Sequence, residues 1–184
     1  MSIDANRELA MRVFIGLAVP IKANQAIDEL LIHYCHEGKC HPLDRHLTLF
    51  FLGEVKAVEL RALIGEINLL QCHGPIKWHG TKIDVFPDAR RPKVWALEGE
   101  NTVELMALRE RLLKLPSLSR LLSTPLNQSF RPHVSLIRRP KAGLMERKVS
   151  LGIEFKRLGI YESDLSKTQE QGPRYTEIIG WDLE

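Results

Sequence analysis

"HLTLFFLGE", residues 46–54, decides how the rest of the chain is read. It is apolar enough to be a buried strand, yet it opens on a histidine and carries a threonine two residues later. Alternate residues of an extended strand share a face. His46 and Thr48 therefore point one way, and Leu47 and Leu49 the other. The same order of histidine, apolar residue, hydroxyl and apolar residue returns in "HVSL", residues 133–136. There His133 and Ser135 share a face, with Val134 and Leu136 behind them. One such histidine alone is ordinarily a hydrogen-bonded core residue. Two of them half a chain apart describe two strands, each with its back to a core and a polar pair turned to a common object.

Working outward, "MRVFIGLAV" (11–19) reads as a buried strand ended by Pro20. Ile21 to about His36 has helical spacing through Ile27, Leu30 and Leu31, and Val55–Leu70 does so through Val58, Leu60, Leu63, Ile64 and Ile67. "IKWHGTKIDVF" (76–86) and "KVWALEG" (93–99) flank the turn "PDARRP" as an antiparallel pair. "NTVELMALRERLLKL" (101–115) is a helix capped by Asn101 or Thr102, with Glu104 early and Arg109, Arg111 and Lys114 late. Residues 117–128 form a connector. Strands are expected at 133–139, 153–163 and 174–183. Several connections are too short for parallel crossovers, so the fold class is α+β with mixed or antiparallel sheet.

The chain has 184 residues, 44% apolar and 27% charged, with a net charge of +3. These values suit a folded domain with a mildly basic surface and exclude a disordered chain. The opening "MSIDANRELAMR" is polar and of mixed charge, unlike a signal peptide. Residues 1–10 are expected to be a flexible extension of a single domain spanning 1–184. No apolar run has the length of a membrane span. Three cysteines, Cys35, Cys40 and Cys72, are an odd number, which points to reduced thiols and a cytoplasmic location.

Two imidazoles across a cleft supply an acid and a base near neutral pH. The hydroxyls of Thr48 and Ser135 can hold non-bridging phosphate oxygens, and no metal is required. A fixed cation would help, and Arg138 lies five residues beyond His133. Strict alternation puts it on the wrong face, so it serves only if the strand twists, bulges or ends before it.

With these residues in place, the sequence resembles the 2H phosphoesterase superfamily, defined by two His-x-Thr/Ser motifs. It is most similar to the RNA 2′,3′-cyclic phosphodiesterase branch, also called 2′-5′ RNA ligase. The resemblance runs through "MRVFIGLAV", "HLTLFFLGEV", "FPDARRPKVWAL", "FRPHVSLIRR" and "YESDLSKTQEQGPRYTEIIGWDL". It implies two pseudo-symmetric lobes with outer helices around a central cleft. It also implies metal-free, cofactor-free opening of an RNA terminal 2′,3′-cyclic phosphate to a 2′-phosphate, and reversible ligation. His46 would be the proton donor to the 3′ oxygen and His133 the acceptor that activates water. Thr48, Ser135 and Arg138 would bind the phosphate. Ser135 stands where threonine is commoner in this branch; the hydroxyl survives, without the methyl that stiffens its rotamer.

The implied partner is an RNA 3′ end bearing a cyclic phosphate, tRNA fragments being one source. Monomeric behaviour and no membrane association are expected. Among the basic residues, Arg45, Arg91 and Arg131 are candidate RNA contacts, the last two beside prolines. Phe14, Phe86 and Tyr175 are candidates to stack on the terminal base. "HYCHEGKCH" (33–41) collects zinc-type ligands, but four of them within seven residues do not readily close a tetrahedron, so no metal site is expected. Trp78, Trp95 and Trp181 read as core. Alternative readings are an RNA-end-binding module without turnover, or a phosphodiesterase for 2′-5′ linkages or small cyclic nucleotides.

Overall fold

The computed structural model describes residues 10–33, 38–70, 74–86, 92–122, 130–140, 146–167 and 171–183. Their order is β1 (Met11–Ala18), α1 (Ile21–Leu30), a 3-10 turn (Pro42–Asp44), β2 (His46–Val55), α2 (Ala57–Asn68), β3 (Ile76–Phe86) and β4 (Val94–Gly99). Then come α3 (Val103–Leu113), α4 (Pro116–Leu121), β5 (His133–Arg138), β6 (Arg147–Phe155), β7 (Arg157–Ser163) and β8 (Tyr175–Asp182).

The eight strands form one sheet in the order β6-β3-β4-β5-β2-β1-β7-β8. Every pairing between named strands is antiparallel, which resolves the expected "mixed or antiparallel" sheet. Four strands lie on either side of the β2–β5 junction, so the two lobes are halves of one sheet. At the junction the ladder consists of Leu47 opposite Val134. Both are fully buried. Beyond that pair the strands part. Residues 38–40 slip in beside β5, with the Cys40 N–H donating to the Leu136 carbonyl and the Arg138 N–H to the Gly38 carbonyl. Gly38 has φ +77°, and a Cβ there would stand 2.4 Å from the Arg138 oxygen, so the insertion needs glycine at that point.

One core unites the sheet and the helices. Val13, Ile15 and Leu17 of β1, Leu47 and Leu49 of β2, and Val134 and Leu136 of β5 pack with Ile27 of α1, Leu60 and Leu63 of α2, and Leu105 and Leu112 of α3. Helix α3 starts on Thr102, whose hydroxyl accepts from the Leu105 N–H. That settles the choice between Asn101 and Thr102. Within the expected 117–128 connector, α4 docks through the Glu66 carboxylate, which accepts from the Ser117 N–H and hydroxyl.

The expected single strand at 153–163 is a correction. The chain breaks at Lys156, giving β6 on the edge of β3 and β7 beside β1. One strand cannot pair with both edges, and apolar patterning does not reveal which edge a segment joins. α1 is shorter than expected, ending at Leu30. The expected N-terminal extension falls, except for exposed Ala10, outside the described residues. No described helix is long and apolar enough to cross a membrane.

Candidate active site

The face of the sheet opposite the helices carries both motifs. His46 and Thr48 flank Leu47 on β2, and His133 and Ser135 flank Val134 on β5, so all four surround the one paired position. The histidines are thus diagonal across the junction, with Cα atoms about 8 Å apart for ordinary strand spacings. One phosphate can bridge that span.

Each strand then bulges at the same place. On β2, Ile15 pairs with Phe50 and Gly16 with Thr48, leaving Leu49 as the extra residue. On β5, Trp95 pairs with Ile137 and Ala96 with Ser135, leaving Leu136 extra. Each bulge reverses the alternation. Leu49 and Phe50 are both buried, as are Leu136 and Ile137. Arg138 is thereby returned to the face of His133 and Ser135, which answers the parity objection raised by the sequence. The carbonyl of each extra residue is satisfied from outside the β1–β2 and β4–β5 ladders: that of Leu136 by the Cys40 N–H, and that of Leu49 by the Arg109 guanidinium from α3. Arg109 also lies over the Phe50 and Phe130 rings, at 4.4 and 3.7 Å. Burial pushes its guanidinium down to about 10.

The two imidazoles are held alike. His46 Nδ1 lies 2.7 Å from the Asp44 carbonyl, and His133 Nδ1 lies 2.9 Å from that of Arg131. A carbonyl only accepts, so each Nδ1 carries the hydrogen and each Nε2 is left for chemistry. Nε2 of His46 meets the Thr48 hydroxyl at 3.0 Å. His46 stacks on Phe14 at 4.4 Å and His133 on Phe86 at 4.0 Å. Gly16 leaves room for the first ring: a Cβ there would stand 3.4 Å from His46 Cδ2 and 3.1 Å from the Leu47 oxygen.

Burial lowers both histidines, His46 to about 4. Arg138 lowers both further, and His133 adds to the lowering of His46. These three groups therefore share one electrostatic site. Glu98, paired across β4–β5 with His133, opposes the lowering there. Arg138 donates to the Tyr175 hydroxyl, and Tyr175 stands edge-on to His46 at 5.0 Å. Buried Asp44 holds that tyrosine in place, its carboxylate accepting from the Arg174 and Tyr175 N–H groups at 2.9–3.1 Å.

No family model matches the chain. A curated relative, the RNA 2′,3′-cyclic phosphodiesterase of Bacillus subtilis (strain 168), is 29% identical over 154 residues, 78% of this chain and 79% of the relative. Among solved structures, TT0787 of Thermus thermophilus superimposes with a TM-score of 0.76 at 25% identity, covering 94% of this chain and 98% of that one. E. coli LigT complexed with 3′-AMP does so at 0.71 and 23%, covering 95% and 98%. The chain is similar to these phosphoesterases in sequence and shares their fold.

The residues read from the sequence do not all fall in one place. His46, Thr48, His133, Ser135, Arg138 and Tyr175 converge on one face. Arg131 lies beside them, donating to Glu98 at 2.8 Å and lying 4.7 Å over the Phe86 ring. Two expected RNA contacts are closed off by burial. Arg45 is 3% exposed and donates to the Asn24 carbonyl and amide oxygens while pairing with Asp28. As the neighbour of His46 it points to the opposite face, where α1 receives it. Phe14 is also 3% exposed, closed in by His46, Tyr161 and Tyr175. It leaves no open face for a base and instead supports the imidazole. Phe86 likewise stacks on His133. Arg91 lies outside the described residues, as do Cys35 and His36 of the zinc-like run. In that run, Cys40 is buried and its thiol raised by burial, while His41 Nδ1 accepts from the Leu43 N–H.

Three contributors were missed: Asp44, Glu98 and Arg109. Asp44 sits two residues before the motif with no pattern to mark it. Arg109 looks like any late-helix cation.

Proposed function

We propose that this protein is a 2H phosphoesterase that opens a 2′,3′-cyclic phosphate at an RNA 3′ end to give a 2′-phosphate, without a metal. The observation that carries the reading is the mirrored pair of histidines, each locked through Nδ1 with Nε2 turned to one site beside Arg138. The RNA substrate is supported by the activity for which the Bacillus subtilis relative is named.

The phosphate sits between the imidazoles, its non-bridging oxygens on Thr48, Ser135 and Arg138. Its negative charge raises the His46 pKa and brings a proton onto Nε2. Water attacks phosphorus in line and gives a proton to His133 Nε2. As the new P–O bond forms, the bond to the 3′ oxygen breaks, and that oxygen takes the proton from His46. An imidazole with a depressed pKa releases its proton readily. The Glu98 carboxylate beside His133 favours the imidazolium that forms there. Proton exchange with solvent resets the pair. With an RNA 5′-hydroxyl in the place of water, the same steps form a 2′-5′ linkage, and their reverse cleaves one.

The test is product analysis of an RNA oligomer ending in a 2′,3′-cyclic phosphate, incubated with the protein in chelator. A 2′-phosphate product, abolished in His46→Ala and in His133→Ala, is expected. Wild-type rates in both variants, or turnover only with added divalent metal, would refute the mechanism. Binding without turnover by the unaltered protein would favour a module that holds RNA ends.

A further inference from the structure

Three glycines line up across the strands beside the first histidine. Gly16 of β1 pairs with Gly159 of β7, and Gly159 with Gly180 of β8. None of the three has a positive φ, so the backbone does not call for glycine at any of them. What they leave is room. A Cβ on Gly159 would stand 2.6 Å from the Tyr161 ring, and one on Gly180 2.7–2.8 Å from the Arg157 guanidinium. With His46 against Gly16, the row is a floor under one imidazole, one phenol ring and one guanidinium, in that order toward the edge of the sheet.

The side chains on this floor hold one another. Arg157, Gly159 and Tyr161 are alternate residues of β7 and share a face. An extra residue in β8, Ile178, sets Glu177 opposite Tyr161. The Tyr161 hydroxyl donates to the Glu177 carboxylate at 3.3 Å, and Arg157 donates to both oxygens of that carboxylate at 2.7 and 2.9 Å. Arg157 also donates to Asp182 at 2.7 Å. Burial and the adjoining Glu177 push the Tyr161 pKa up, so the hydroxyl stays a donor.

Tyr161 completes a triangle of stacked rings. The centroids are 4.4 Å apart for His46 and Phe14, 5.2 Å for Phe14 and Tyr161, and 6.4 Å for His46 and Tyr161, with planes inclined by 19–27°. The hydrogen bond from His46 Nδ1 to the Asp44 carbonyl fixes one atom of the imidazole. The ring can still swing about that atom and carry Nε2 with it. Phe14 and Tyr161 close that swing from the β1–β7 side. At His133 the place behind the supporting ring is taken by a cation instead, the Arg131 guanidinium over Phe86. Tyr161 therefore acts on one histidine of the pair.

We propose that Tyr161, clamped by Glu177 and Arg157 over the glycine floor, is a positioning residue for His46 that fixes where Nε2 points. Its hydroxyl is committed to Glu177 and takes no part in proton transfer. The role rests on the phosphoesterase reading, because a ring that delivers a proton to a leaving oxygen must be held more closely than one that only packs. A misplacement of about 1 Å costs about a hundredfold in rate.

Three variants test it. Tyr161→Leu removes the ring, Tyr161→Phe keeps the ring without the hydroxyl, and Gly159→Ala displaces the ring from below. On an RNA oligomer ending in a cyclic phosphate, Tyr161→Leu is expected to lower kcat roughly 10- to 100-fold with KM within about twofold of wild type. Gly159→Ala should act in the same direction, and Tyr161→Phe should recover most of the loss. Nitrogen-15 spectra of the histidine rings, taken without substrate, supply a readout that lost stability alone does not move. In Tyr161→Leu the His46 Nδ1 and Nε2 signals should draw together as the ring leaves its single tautomer, while those of His133 keep their wild-type separation. Unchanged His46 signals in Tyr161→Leu, or a kcat within twofold of wild type, overturn the proposal. Equal changes at both histidines overturn it too, since they report general damage. If Tyr161→Leu does not fold, Gly159→Ala decides by the same criteria. A wild type that turns over no cyclic phosphate fails the phosphoesterase reading separately, and the His46 spectra then decide the positioning.

Discussion

Replacing Asp44 separates the scaffold of the site from its chemistry. Its carboxylate is 6% exposed and receives two backbone N–H groups, that of Arg174 through both oxygens at 2.9 and 3.0 Å and that of Tyr175 at 3.1 Å. These contacts tie the last strand, and with it Tyr175, to the turn before His46. A buried N–H left without an acceptor costs about 1–3 kcal/mol. Asp44→Ala removes the acceptor of two, so a loss of about 2–6 kcal/mol is expected in urea unfolding. Asp44→Asn keeps one acceptor oxygen and should lose about half as much. The catalytic effect runs through Tyr175, which accepts from Arg138 and stands against His46. Loss of one hydrogen bond to a charged group corresponds to roughly a ten- to hundredfold fall in turnover. Because the Asp44 backbone carbonyl still receives His46 Nδ1, the imidazole keeps its tautomer, and the pH profile should hold its shape while its height falls. Urea unfolding and kcat/KM against pH on the same preparations supply both readouts. An Asp44→Ala protein within about 0.5 kcal/mol of wild type, and equally active, would refute this coupling of the C-terminal strand to the first motif.

Other outcomes follow from the same geometry. Arg109→Leu removes the donor to the Leu49 bulge and two ring contacts; a stability loss of about 2–4 kcal/mol is expected, with a lower kcat that Arg109→Lys partly restores. The His46 pKa, about 4 when folded, lies below the 6.5 of the unfolded chain. Between those values the unfolded state binds the extra proton, so this contribution to stability is complete above pH 6.5 and declines as pH falls toward 4. At about pH 5 the wild type should be about 2 kcal/mol less stable than at about pH 7 on this account, and His46→Gln should flatten that dependence in urea titrations.

How far the site could be read from the sequence depended on whether the signal was local. Strand alternation placed His46 and Thr48, and His133 and Ser135, because period-two patterning survives in any sheet. It also signalled trouble at Arg138, and the Leu136 bulge supplied the remedy. Alternation applied to Arg45 would have excluded it, since the residue beside a cleft-facing histidine must face away. Other features depended on partners distant in sequence. Arg109 meets a carbonyl 60 residues away, and Asp44 an N–H 130 residues away. Neither separation leaves a periodic trace. β6 and β7 were merged because the sequence records that a segment is extended, not which edge it joins.

The central claim concerns two imidazoles acting on one phosphorus. The most direct measurement is nitrogen-15 NMR of histidine-labelled protein, assigned with His46→Gln and His133→Gln, while a nucleoside 2′-monophosphate is titrated in. Expected are shifts of the Nε2 signals of both His46 and His133 along one binding curve, with both Nδ1 signals remaining those of hydrogen-bonded N–H groups. A response from one histidine alone, or two responses with different affinities, would contradict a shared phosphate.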